Sequence, residues 1–313
     1  MKVLITGSSG MIGTNLALNL LDDGHTVLGI DYRSNPWTNR IPFRKVDLRK
    51  NCVGHLVELI KGFGIDFVVH LAAHAKVYEL VIEPSRALEN VDLTFKVLES
   101  ARLSDVPIVF GSSREVYGDI RRHVTNESSA DFVVAESPYS ASKISGEAFI
   151  YSFAQCYGLR YFVFRFSNVY GRYDSDLERL ERVTPLFIRQ ISRGEPITIF
   201  GREKALDFTY IDDCIQGVRL GIEKLAAGEV QNQTINLAYG EGHSLEQLAM
   251  FIGEVLGMEP SISYAPSQPG EVKRYVADIS KARDLLGYRP TTPLREGLRK
   301  AIAWQREVGA LPR

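Results

Sequence analysis

The chain has 313 residues, 45% of them hydrophobic and 24% charged. That much apolar material excludes disorder as the main state, and a chain of this length buries most of its apolar surface without disulfide staples. Its 37 basic and 38 acidic residues leave a net charge of −1, so no basic field exists to attract nucleic acid or an anionic membrane.

In chain order, Lys2–Thr6 reads as a buried strand and Met11–Asp23 as a helix closed by Gly24. Thr26–Ile30 and Phe43–Val46 are strands, Cys52–Phe63 a helix and Asp66–Leu71 a strand. Pro84–Leu103 is a long helix, Pro107–Phe110 a strand, Pro138–Tyr157 a helix and Arg160–Phe166 a strand. Apolar strands alternating with helices predict a parallel sheet covered on both faces. After Phe166 the rhythm changes. Tyr170–Glu181 is polar and irregular, and the helices Val183–Arg193, Asp212–Leu225, Leu245–Leu256, Ser280–Leu286 and Leu294–Val308 alternate with short apolar runs. Two domains are expected: residues 1–166, with about 207–238 returning to them, and a smaller α/β domain over 167–313. Cys52, Cys156 and Cys214 lie far apart, which argues against a disulfide framework and fits a reducing, cytoplasmic setting. No apolar run is long enough to span a membrane.

Gly7, Gly10 and Gly13 form GxxGxxG directly after the first strand, where the first helix opens. In that context the glycines allow a tight turn, and the helix N-terminus offers free N–H groups to a pyrophosphate. Ser9, Met11 and Ile12 lie within the same turn. Asp31 ends the second strand, 18 residues past Gly13. A carboxylate there accepts from ribose hydroxyls and repels a 2′-phosphate, which favours NAD over NADP. Tyr32 and Arg33 follow it, and an arginine so placed is also able to meet that phosphate.

Tyr139 and Lys143 have YxxxK spacing near a helix start, which puts both side chains on one face. A nearby ammonium favours a phenolate, so Lys143 is expected to lower the Tyr139 pKa and make it a general acid/base. The pair follows a strand ending in Gly111, Ser112 and Ser113, and ligands bind at that end of a parallel sheet. His70, on an apolar strand, reads as a core histidine, and His74 as a loop residue near the cleft.

Taken together, these motifs resemble those of extended short-chain dehydrogenases/reductases, specifically the NAD-dependent nucleotide-sugar epimerases and dehydratases. The likeness also rests on Asp47-Leu48, His70-Leu71-Ala72-Ala73, Ser113–Gly118, Arg165–Gly171, Asp207–Asp213 and the run from Ala277 to Tyr288. It implies a Rossmann-type doubly wound sheet with a smaller substrate-binding domain. It also implies that Asp47 and Leu48 contact adenine, and that Leu71, Ala72 and Ala73 line the pyrophosphate and nicotinamide ribose. Asn90, Ser112 and Phe166 would lie near the cofactor, Ser113 would bond the reacting sugar hydroxyl, and Asn168 would hold the substrate diphosphate. Each has a plainer reading: small residues for close packing at 72 and 73, a helix residue bonding a loop at 90, a turn at 168.

Two departures bear on the reaction. Dehydrating relatives carry Asp-Glu after the Ser/Thr, and here Arg114-Glu115 stands there, which counts against 4,6-dehydration. Glu115 and Arg182 resemble residues of UDP-glucuronate decarboxylases. Relatives also place an arginine where Leu206 stands; Arg202 or Lys204 would replace it, and Arg182, Arg202 and Arg274 would converge on the two phosphates. Phe200 would pack on the nucleobase or in the core. The expectation is an NAD-dependent nucleotide-sugar 4-epimerase working through a transient 4-keto sugar, with Ser113, Tyr139, Lys143 and Glu115 at the reacting centre. The alternatives are a decarboxylase and an inert NAD-sensing protein. A homodimer through the helices at 84–103 and 138–157 is also implied.

Overall fold

The computed structural model describes residues 1–117, 127, 135–176 and 182–311. Gly118 and residues 177–181 of the polar stretch therefore lie outside the described residues. In chain order the elements are β1 (Lys2–Thr6), α1 (Met11–Asp22), β2 (Thr26–Asp31), β3 (Phe43–Lys45), α2 (Val53–Phe63), β4 (Phe67–His70), α3 (Val77–Ile82), α4 (Ser85–Ser104) and β5 (Ile108–Ser113). A 3₁₀ turn at Arg114–Tyr117 follows. Then come α5 (Pro138–Tyr157), β6 (Tyr161–Phe166), β7 (Asn168–Tyr170), α6 (Val183–Ser192), β8 (Ile197–Phe200), β9 (Ala205–Tyr210), α7 (Ile211–Ala226) and β10 (Gln233–Leu237). The chain ends with β11 (Gly242–Ser244), α8 (Leu245–Leu256), β12 (Ile262–Ala265), β13 (Arg274–Tyr275), α9 (Ser280–Leu286) and α10 (Leu294–Glu307).

Seven parallel strands form the main sheet in the order β3-β2-β1-β4-β5-β6-β10. The central strands are largely apolar because both faces are covered, whereas the edge strand β3 (Phe43–Lys45) is polar and mostly exposed. Val3 and Ile5 of β1 join one core with α1 and α7, while Leu4 joins the other with α2, α4 and α5. Strand order reverses between β1 and β4, and that switch point opens a crevice at the carboxyl edge. The long helix α5 is fixed at its start by a Ser137–Ser140 capping box with Pro138 behind it, and Gly158 closes it in the left-handed region. This start sets where Tyr139 and Lys143 stand.

The C-terminal lobe holds two small sheets. In one, β9 pairs with β7, β11 and β13; in the other, β8 pairs with β12. Of the segment 207–238, β10 completes the main sheet and α7 packs against α1, whereas β9 belongs to the small sheet. Asp207, deep in β9, accepts hydrogen bonds from the N–H groups of Tyr239 (3.1 Å), Gly240 (2.9 Å) and Ala277 (3.3 Å). Asp213 accepts from Thr291 (2.9 Å) and Thr292 (3.0 Å). The acidic ends of the Asp207–Asp213 motif thus pin loops together and have no contact with the crevice. The helix α3 and the strands β7, β9, β11 and β13 are not anticipated by periodicity; β7, β11 and β13 have three residues or fewer, and the six-residue β9 carries the buried polar Asp207 and Thr209 within its run.

Candidate active site

A cleft of about 500 Å³ runs along the carboxyl edge of the main sheet. Its floor is the glycine turn. Gly7 has φ +72°, and a Cβ there would stand 2.7 Å from the Ala72 nitrogen; a Cβ on Gly13 would stand 2.3 Å from the Gly7 oxygen. The turn therefore accepts only glycine at both positions, and loop 71–73 packs directly on it. Gly10 caps α1 without any side-chain hydrogen bond, and no acidic residue occupies the first turn. The helix N-terminus is left for an anion, as a dinucleotide pyrophosphate requires.

Gly7, Gly10, Met11, Ile12 and Gly13 line this cleft, as do Asp31, Tyr32, Asp47 and Leu48 at one end. Asp31 is held by the N–H groups of Ser9 (3.2 Å) and Arg33 (3.2 Å). Ser9 itself is buried away from the cleft and donates its hydroxyl to the Arg33 carbonyl at 2.9 Å. Asp47 forms a two-pronged bond with Arg49, both contacts at 2.8 Å, which holds its carboxyl down at about 2. The Arg33 and Arg49 guanidinium groups lie 4.8 and 5.2 Å from the Tyr32 ring centre.

Leu71, Ala72, Ala73, Ser112, Tyr139, Lys143 and Phe166 line the other end. Asn90 does not. Its amide is spent on loop 72–75, accepting from His74 N–H (2.7 Å) and donating to the His74 carbonyl (3.0 Å) and to Ser142 (3.3 Å). It holds the loop whose Ala72, Ala73 and His74 line the cleft. His70 is buried between the hydroxyls of Thr6 (2.7 Å) and Thr94 (3.3 Å). Burial and the charge of Lys143 push its pKa to about 3, so it is a neutral core histidine.

Tyr139 is 7% exposed, with the Ser113 side chain close enough to act on its phenol. The expectation that Lys143 brings this phenol toward neutrality needs correction. Burial pushes Tyr139 up to about 12 and the charge of Glu115 adds to this, while Ser113, Arg182 and Arg114 oppose it. The reason is geometric: the Lys143 ammonium donates to the Gly111 carbonyl at 2.8 Å and stands 5.8 Å from the Tyr139 ring centre. Burial also lowers Lys143 itself, to about 8.

Glu115 is buried beside this pair. Its N–H donates to the Ser113 hydroxyl at 3.2 Å, its carboxylate meets Arg114 at 3.0 Å, and burial raises its pKa. Asn168 accepts from Arg114 at 3.2 Å and donates to the Asp207 carbonyl at 3.0 Å. Arg182 stands apart from Arg202 and Arg274. It pairs with buried Asp174 at 3.0 Å, touches the Met11 sulfur at 3.4 Å, and lies in the cleft over the start of α1. Arg202 is exposed on the Tyr264 ring, and Arg274 is exposed where β13 meets Ala205. Phe200 is 39% exposed and is not a core residue. Lys204 is buried and paired with Glu271, and Leu206 is buried in β9. Trp37, Tyr173 and Asp174 also line the cleft. Trp37 and Tyr173 pack on each other and on Trp304 from α10, a grouping no local spacing could reveal.

A model of the NAD dependent epimerase/dehydratase family matches residues 3–238. A Bacillus subtilis protein named an uncharacterized UDP-glucose epimerase is 31% identical, over 97% of this chain and 98% of its own length. Among solved structures, the UDP-glucose 4-epimerase of Thermotoga maritima with UDP-glucose superposes with a TM-score of 0.90 at 29% identity, covering 98% of this chain and 99% of that one. The UDP-glucuronic acid 4-epimerase of Bacillus cereus, in complex with UDP-glucuronic acid and NAD, gives 0.87 at 28% identity, covering 98% and 100%.

Proposed function

The chain belongs to the NAD-dependent epimerase/dehydratase family, and we propose that it is a nucleotide-sugar 4-epimerase acting on a UDP-sugar. The observation that carries this reading is the grouping of Tyr139, Lys143 and the nearby Ser113 side chain at the end of a cleft whose opposite end holds the glycine turn and Asp31. The cradle fits NAD: an uncapped helix start for the pyrophosphate, a carboxylate for the ribose and small residues over the turn. Bound NAD supplies what no side chain here can, acceptance and return of a hydride at sugar C4.

Within the chain, Ser113 holds the C4 hydroxyl and Tyr139 takes its proton as the carbonyl forms. A phenol at about 12 is almost wholly protonated at neutral pH and so is rarely in the form that accepts a proton. A positive charge brought against the phenol by the bound cofactor would lower it in the loaded cleft. Once hydride has returned to C4 on the other face of the 4-keto sugar, Tyr139 gives the proton back to O4, which completes inversion. A second reading, decarboxylation of a UDP-uronate after the same oxidation, is favoured by one observation: the buried carboxyl of Glu115 beside Tyr139. Incubation with UDP-glucose and with UDP-[6-¹³C]glucuronate, followed by NMR, tests both. C4 inversion with the label kept is expected; release of labelled CO₂ as substrate disappears would install the decarboxylase.

Two further parts of the reading concern setting. The three cysteines are unpaired, one of them exposed, which suits a reducing cytoplasm. Leu88, Phe95 and Leu103 on α4 and Tyr157 on α5 are exposed on two helices that pack together, and this apolar face supports a homodimer. Sedimentation should give a dimer that Phe95→Glu splits; a monomeric wild type would refute it.

A further inference from the structure

We propose that Trp37, Tyr173 and Trp304 form an aromatic clasp that ties the C-terminal lobe to the cofactor cleft and sets how fast NAD leaves it. This rests on NAD occupying the cleft, whichever sugar is inverted there. Trp37 and Tyr173 line the cleft, one from the loop after β2 and the other from the segment after β7. Trp304 is not a lining residue. It stands on α10, 8% exposed, and α10 packs against α8 and β9 of the C-terminal lobe. Its ring centre lies 5.5 Å from that of Trp37 and 5.2 Å from that of Tyr173, edge-on to both, and the latter two stand 6.0 Å apart. These are favourable separations for aromatic pairs. Three distant parts of the chain thus meet at one point on the cleft wall, and Trp304 is a positioning residue that acts through the other two.

Both lining members are fastened to the frame that receives the dinucleotide. Asn35 donates its side-chain amide to the Ser8 carbonyl of the glycine turn (3.2 Å) and to the Thr14 hydroxyl of α1 (2.8 Å). Its side-chain oxygen accepts from the N–H groups of Trp37 (2.8 Å) and Thr38 (3.2 Å). The segment that carries Tyr173 is tied to the same helix: Asn15 donates to the Arg172 carbonyl at 3.2 Å, and Arg182, paired with Asp174, reaches Met11. Tyr173 itself has φ +62°. The other described non-glycine residues in that region are Asp105 and Asn232, types that tolerate it, whereas a bulky side chain there is costly and persists only where its surroundings demand it. Because both pieces line the cleft, widening it for the cofactor to leave separates rings that α10 holds from the other lobe. The clasp therefore opposes that opening without adding a bond to the cofactor.

Protein loaded with radiolabelled NAD and diluted into excess unlabelled NAD tests this through the release rate, with no turnover involved. Trp304→Leu keeps an apolar side chain but deletes two of the three ring contacts, and should speed release about tenfold or more. Trp304→Phe, which restores an aromatic edge, should recover most of the slow rate. Trp37→Leu, at a half-buried loop position, removes the same contacts from the other side and should match Trp304→Leu. Leu298→Ala opens a cavity in the core on the same helix and should lower Tm at least as far as Trp304→Leu, yet leave release within about twofold. Release unchanged in both tryptophan-to-leucine proteins, or equally fast in Leu298→Ala, would overturn the clasp.

Discussion

The two ends of the cleft are built by opposite means. At the cofactor end the shape comes from backbone: a left-handed glycine, an uncapped helix start and loop 71–73 packed on the turn. The recognition carboxylate there, Asp31, is already held by two N–H groups. At the sugar end the shape comes from side chains supplied by distant parts of the chain, and Arg114, Glu115 and Tyr275 leave atoms unpaired. A frame for a cofactor that stays bound gains from being complete beforehand. The sugar end depends instead on packing between elements far apart in the chain.

The largest expected effect lies where the two ends meet. Tyr139→Phe removes the proton acceptor with little loss of volume and should lower kcat about 10²–10⁴-fold. NAD affinity should stay within a few-fold by calorimetry, since the cofactor is gripped at the other end; turnover near that of the wild type would reject the assignment. Gly13→Ala strikes the frame. Its Cβ would stand 2.3 Å from the Gly7 oxygen, and such backbone overlap costs about 1–3 kcal/mol. The loss should appear as weaker NAD binding, with UDP-glucose binding spared if the two ends are independent. The smallest effect concerns pH. His70 in the folded protein takes up its proton only near pH 3, against about 6.5 when unfolded. Between those values the unfolded chain binds the extra proton, so this group's contribution to stability falls as pH drops from 6.5. His70→Asn should flatten the acid side of a denaturation curve relative to the wild type; parallel curves would contradict the burial argument.

The same contrast explains what could be read from residues alone. Gly7, Gly10, Gly13 and Asp31 lie within 25 residues and follow strand–turn–helix spacing, so local pattern carries the cofactor end. Tyr139 and Lys143 are likewise four apart on one helix, though the pattern could not say that Lys143 bonds the Gly111 carbonyl rather than supporting the phenol. Arg114 and Tyr275, or Lys204 and Glu271, come from separate elements and meet only through tertiary packing. Arg182 carries the same lesson: as one of several arginines after Phe166 it seemed to belong with Arg202 and Arg274, yet the chain delivers it to the start of α1 beside Asp174.

The central claim is that hydride leaves and returns at C4 of one sugar while Ser113 and Tyr139 handle its proton. UDP-[4-²H]glucose, incubated with NAD-loaded enzyme in ordinary water and followed by ²H and ¹H NMR, tests it most directly. The account predicts a C4-inverted product that keeps its deuterium at C4 and none released to solvent. Inversion with the deuterium washed out, or consumption of the sugar without inversion at C4, would contradict it.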